Sequence, residues 1–128
     1  MLRLLPILGL AACTKALTYT TDAPGCTDYD PADPPESTVA AEQIDGDLHI
    51  TRDGSTAPCD GEFEPEVSQD GGTIEIYEHW LSEAGGETCE TCFVPTVIFT
   101  DVARGSYTIS WYIEGVDVPL DTLTVDVD

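Results

Sequence analysis

Five cysteines, two histidines and 25 acidic side chains are the groups in this 128-residue chain that could do chemistry. The tightest spacing is Cys89-Glu90-Thr91-Cys92, a C-x-x-C. In a disulfide oxidoreductase such a pair opens a helix whose dipole lowers a thiol pKa. Here it stands in a loop ahead of a β-branched segment, among acids that would raise that pKa, so redox chemistry of this type is disfavoured. His49 and His79 each fall on the polar side of an alternating segment, without a located thiol or carboxylate partner, and read as exposed strand residues. The acids offer hard oxygen ligands. Asp28-x-Asp30-x-x-Asp33-x-x-Glu36 and Asp45-Gly46-Asp47 are the candidates for Ca²⁺. Neither follows the D-x-[DN]-x-[DN]-G-x₅-E order of a calcium loop, and the prolines limit convergence of the first group. There is no G-x-S-x-G, no H-E-x-x-H and no Gly-rich phosphate loop. Nothing singles out two of the many carboxylates as a glycosidase pair. The expectation is a non-enzymatic protein. A hydrolase would instead need a concave pocket with one carboxyl group buried against an aromatic ring.

The compartment follows from the first thirteen residues. Met1-Leu2-Arg3 supplies one positive charge, Leu4 to Ala12 is apolar or small throughout, and Cys13 comes next. A charged start, an apolar core and small residues before a cut site are the parts of a secretory signal. The run is far shorter than the roughly 18 residues that span a bilayer. Leu10-Ala11-Ala12-Cys13 resembles the lipobox of bacterial lipoproteins. The resemblance implies cleavage before Cys13 and acylation of its sulfur and its new amino group; apart from that covalent lipid and the Ca²⁺ candidate above, no cofactor is expected. Two or more acyl chains hold a protein stably at a membrane. In that family an Asp after the cysteine retains the protein at the inner membrane. Thr14 and Lys15 are not acidic, so the resemblance implies the outer membrane, on its periplasmic or surface side.

Residues 1–12 then form the signal peptide, 13–38 the lipidated N-terminus with an acidic, Pro-rich tether, and 39–128 the folded domain. Loss of the signal leaves about 116 residues, enough for one domain. The net charge of −21 repels nucleic acid and anionic headgroups, and its plain role is solvation. In an oxidising compartment Cys26, Cys59, Cys89 and Cys92 read as two disulfides rather than a zinc site, with three connectivities open. The preferred one is Cys59–Cys89, tying a strand start to a later loop, with Cys26–Cys92 stapling the tether. Closing the first loop would stabilise by about 3–4 kcal/mol in the chain-entropy model.

The elements that must position these groups are strands. Val39 to Ile44 reads as a short helical turn ended by Gly46, and alternation takes over from there. Leu48 and Ile50 share one face against His49 and Thr51, and Arg52-Asp53-Gly54-Ser55 turns the chain. Pro65 demotes the Phe63–Val67 segment to an edge or bulge, and Asp70-Gly71-Gly72 is a tight turn. Ile74, Ile76 and Trp80 line one side of the next strand, Phe93 to Thr100 makes another, and Tyr107, Ile109, Trp111 and Ile113 alternate in the clearest one. Val116 to Val127 supplies a final strand or two. Short strands, Gly and Asp turns and no long helix predict an all-β antiparallel sandwich of roughly seven strands, with a mixed sheet or small barrel as the alternative. Asp101-Val-Ala103-Arg-Gly105-Ser-Tyr107 resembles the turn-and-tyrosine entry into a late strand of immunoglobulin-like and fibronectin-like domains. The resemblance implies a Tyr107 hydroxyl that caps the corner. Together these features predict a lipid-anchored envelope module with a structural, adhesive or protein-binding role toward an envelope protein or extracellular ligand. Sheet edges or loops such as Ser82 to Thr91 would do the binding. The alternatives are a calcium- or ligand-binding lipoprotein and, less favoured, a small hydrolase.

Overall fold

Leu48 and Ile50, Ile74 and Ile76, Val97 and Phe99, and Ile109 and Trp111 are apolar pairs spaced by two, and all eight side chains are at most 1% exposed. A period of two puts both members of each pair on one face of a strand. Four such faces closing on each other make the core. The computed structural model describes residues 17–26, 30, 32–33, 37–82 and 90–128. The strands among them are β1 (Thr18–Asp22), β2 (Thr38–Ile44), β3 (Asp47–Asp53), β4 (Ser55–Pro58), β5 (Glu62–Phe63), β6 (Glu66–Asp70), β7 (Thr73–Tyr77), β8 (Trp80–Leu81), β9 (Glu90–Phe93), β10 (Thr96–Thr100), β11 (Gly105–Tyr112) and β12 (Asp121–Val127).

One four-stranded sheet has the order β1-β10-β3-β2 and the other the order β12-β11-β7-β6. Their inner faces share a single buried cluster, so the molecule is an all-β sandwich. The small pairs β4-β9 and β5-β8 extend it at one end. Every pairing is antiparallel except β7 with β11, which run parallel. That departure from a purely antiparallel sandwich arises because the chain crosses to the opposite sheet through β10 before returning as β11. The strand count also exceeds the expected seven. Gly54, at φ +81°, separates β3 from β4; Pro65 separates β5 from β6; Pro95 lies between β10 and β9, which starts at Glu90 inside the stretch expected as a polar loop.

Two further expectations are corrected. Val39–Ile44 is no helical turn: it lies in β2, paired along its whole length with β3. Buried Val39 and the partner strand decide the conformation, overriding the weak local pattern. The tether assigned to 13–38 is not all outside the domain, since Thr18–Asp22 pairs with β10 as an edge strand. Its Thr-Tyr-Thr-Thr sequence is strand-prone, and the prolines begin only at Pro24.

The two ends of the sandwich differ. At the entry end, the backbone amide of Leu17 donates to Gln69 Oε1 at 2.9 Å. On the other side Gln43 pairs with the backbone of Asp128, donating to its carbonyl at 3.1 Å and accepting from its amide at 3.2 Å. Each glutamine bridges an edge of one sheet to the other. The Tyr107 hydroxyl donates to the Ala103 carbonyl at 2.7 Å here, the corner cap that the resemblance implies. At the far end lie the last residues of β3 and β7, the loop 113–120 joining β11 to β12, and the Cys26–Cys92 disulfide.

Candidate functional site

The inward phase of β3 runs Leu48, Ile50, Arg52, and that of β7 runs Ile74, Ile76, Glu78, the last just past the strand end. Both rows therefore end at the far end in a charged residue, and the charges are opposite. Arg52 Nη1 donates to Glu78 Oε1 at 2.6 Å, with side chains 11% and 4% exposed. Trp111 Nε1 donates to the same oxygen at 2.9 Å. Glu78 Oε2 accepts from Ser55 Oγ at 2.6 Å and from Trp80 Nε1 at 2.7 Å. Arg52 Nε also donates to Ser37 Oγ at 2.7 Å, which fixes the start of β2. Around this carboxylate Trp80 packs on Phe63 and Phe93 at ring separations of 5.2 and 4.9 Å. No buried side-chain nitrogen or oxygen among the described residues lacks a partner.

Burial pushes the Glu78 carboxyl up, but hydrogen bonds from Ser55, Trp80, Arg52 and Trp111 outweigh it and hold the group below the usual carboxylate range. A cleft of about 320 Å³, walled by Ala57, Pro58, Trp80, Glu90, Ile113 and Glu114, reaches Glu78, so the outline asked of a hydrolase is present. A general acid needs a raised pKa, and a base or nucleophile needs a free lone pair. Glu78 has neither: two donors on each oxygen occupy its acceptor sites. It is the anchor of a buried ion pair.

A second groove of about 320 Å³ adjoins the first across Ile113 and Glu114, and is edged by Glu66, Tyr77, His79, Val116 and Asp117. His79 Nδ1 lies 3.0 Å from Glu114 Oε1 on the exposed surface. The Tyr77 and Tyr112 rings stack at 4.5 Å, and both hydroxyls donate to Glu75, at 3.4 and 3.2 Å. Burial, with the charge of Glu75 and its hydrogen bonds, pushes both phenols up.

The residues singled out from the sequence scatter. Cys26 and Cys92 are joined, with Cα atoms 5.4 Å apart, and the strand-like contact of Gly25 with Phe93 lines them up. Cys59 is disulfide-bonded as well. Its expected partner Cys89 lies outside the described residues, as do Cys13, Asp28 and Glu36. Asp45 occupies a left-handed turn at φ +51°, and Asp47 Oδ1 accepts from the Asp101 amide at 3.0 Å. Asp30 caps a local turn by accepting from the Ala32 amide at 2.9 Å. Among the described residues no three His, Cys, Asp or Glu side chains converge as a metal site would require. His49 is half-buried on the outer side of β3, across the register from Glu42. Sequence reasoning missed Glu78 and Arg52. The signal is phase: Arg52 continues the Leu48–Ile50 row into residues that read as a turn, and Glu78 falls on the other inward row, between Ile76 and Trp80.

A scan against protein-family models, a search of curated proteins and a search of solved structures each found nothing that matches this chain.

Proposed function

We propose that this chain is a lipid-anchored, non-catalytic β-sandwich of the outer membrane, acting as a structural, adhesive or protein-interaction module of the cell envelope. One observation carries the reading. Leu17, the first described residue after the Cys13 segment, enters at one end of the sandwich, and the exposed loop 113–120 lies at the other. A chain tethered through Cys13 would present that loop away from the membrane. The saturated Glu78 carboxylate supports a binding role over a hydrolytic one, because the buried carboxyl of the cleft is committed to structure. The test is the intact mass of the protein extracted unreduced from its own membranes. A species beginning at Cys13 and heavier by acyl chains is expected. A chain without acyl mass, or one that Cys13→Ser leaves in the membrane fraction, overturns the anchor.

A further inference from the structure

We infer that the far-end groove beside Tyr77 and the loop 113–120 docks a basic polypeptide segment that carries aliphatic side chains. This rests on the interaction reading above and names the chemistry of its partner.

Four large apolar side chains at the far end are exposed. Tyr77, Val116, Val118 and Leu120 are 38, 45, 67 and 37% exposed. Tyr77 and Val116 line one groove, and Val118 and Leu120 follow further along the same loop, outside that lining. The loop is held in shape, with the Val116 amide donating to the Ile113 carbonyl at 3.1 Å and the Leu120 amide to the Trp111 carbonyl at 2.7 Å. Single exposed apolar residues need no explanation, but a grouped set on an ordered loop marks a contact surface.

Charge decides what makes the contact. Glu66, Glu114 and Asp117 edge the groove, and Glu90 stands in the adjoining cleft. Of the side chains lining these clefts, Arg52 is already engaged by Glu78, and His79 already contacts Glu114. A second copy of this chain would bring its own −21 to the contact, and nucleic acid or anionic headgroups would be repelled too. A lysine or arginine side chain suits the site. Its charge meets the carboxylates and the ring face of Tyr77 not covered by Tyr112, while neighbouring aliphatic residues cover the loop valines.

The experiment uses the full chain and three synthetic peptides of equal length: one of Lys and Leu, one of Lys and Ser, and one of Glu and Leu. Amide chemical shifts and binding isotherms are recorded for each. The Lys/Leu peptide is expected to shift amides of 113–120 and 77–79, and to bind at least tenfold more tightly than either other peptide. Val116→Ser with Val118→Ser should weaken it at least tenfold without changing the melting temperature, since both side chains are exposed. Glu114→Gln with Asp117→Asn should weaken it and flatten its salt dependence. Equal binding of the Lys/Ser peptide, shifts spread over the whole acidic surface, indifference to the valine changes, or no binding at all would each overturn the inference. A Lys/Leu peptide that settles on the β6 or β12 edge also overturns the groove, yet leaves the interaction reading standing. The anchor beneath that reading is judged separately by intact mass.

Discussion

At the scale of single residues, stability concentrates on Glu78. Its carboxylate ties β3, β4, β7, β8 and β11 together through Arg52, Ser55, Trp80 and Trp111. Glu78→Gln should destabilise by about 3–5 kcal/mol, because it strands the Arg52 charge in a largely buried site and aims amide hydrogens at existing donors. A lower urea midpoint with unchanged slope is the expected result, and a loss below 1 kcal/mol would mean the ion pair is far wetter than its exposure indicates. The pH dependence has a definite sign. The folded pKa of Glu78 is depressed, so its contribution is complete above the unfolded value of about 4.5 and is lost as pH falls through the folded one. Melting curves of the Glu78→Gln variant should lack that acid-side loss. The pair was legible only as phase: 48, 50, 52 and 74, 76, 78 are two inward rows, but nothing local says they meet.

At the scale of elements, the interruptions carry the design. Pro65, as read from the sequence, leaves β6 at a sheet edge. Gly72 permits the parallel approach of β7 to β11: a Cβ there would sit 2.8 Å from the Ser106 carbonyl oxygen, while the Gly72 carbonyl accepts from the Thr108 amide. Because the obstacle is backbone, Gly72→Ala should cost about 1–3 kcal/mol, measured as a drop in melting temperature, whereas Gly71, with open space around its Cβ position, is limited by its φ of +62° instead. The Cys26–Cys92 bridge closes across 66 residues, so replacing both cysteines by serine should lower stability by about 4 kcal/mol in the chain-entropy model. Urea unfolding of that variant against the parent checks the figure. Pairing of Thr18–Asp22 with β10 was not legible, since a five-residue Thr-rich segment has no apolar alternation to place it.

For the whole molecule, 25 acids against four bases make self-repulsion the main long-range term. Screening should therefore stabilise. Raising NaCl from about 10 mM to about 500 mM, which shortens the Debye length from about 30 Å to under 5 Å, should raise the melting temperature by several degrees. A melting temperature that falls with added salt would mean attractive pairs outweigh the repulsion.

By itself the sequence determined the all-β class, the apolar faces, the turn at Asp70-Gly71-Gly72 and the tyrosine corner at Tyr107. Each depends on interactions within a few residues: period-two alternation, glycine conformations, a hydroxyl four residues from its acceptor. Only the tertiary structure decided the sheet order, the parallel β7-β11 pair, the entry of β1 into the sheet and the Arg52–Glu78 meeting. Those depend on which faces close on which. Arg52 and Glu78 stand 26 residues apart, and the cluster that joins them draws on Trp111, 33 residues beyond Glu78. Contacts at such separations arise when the two sheets pack, where burial of both apolar faces outweighs any local preference.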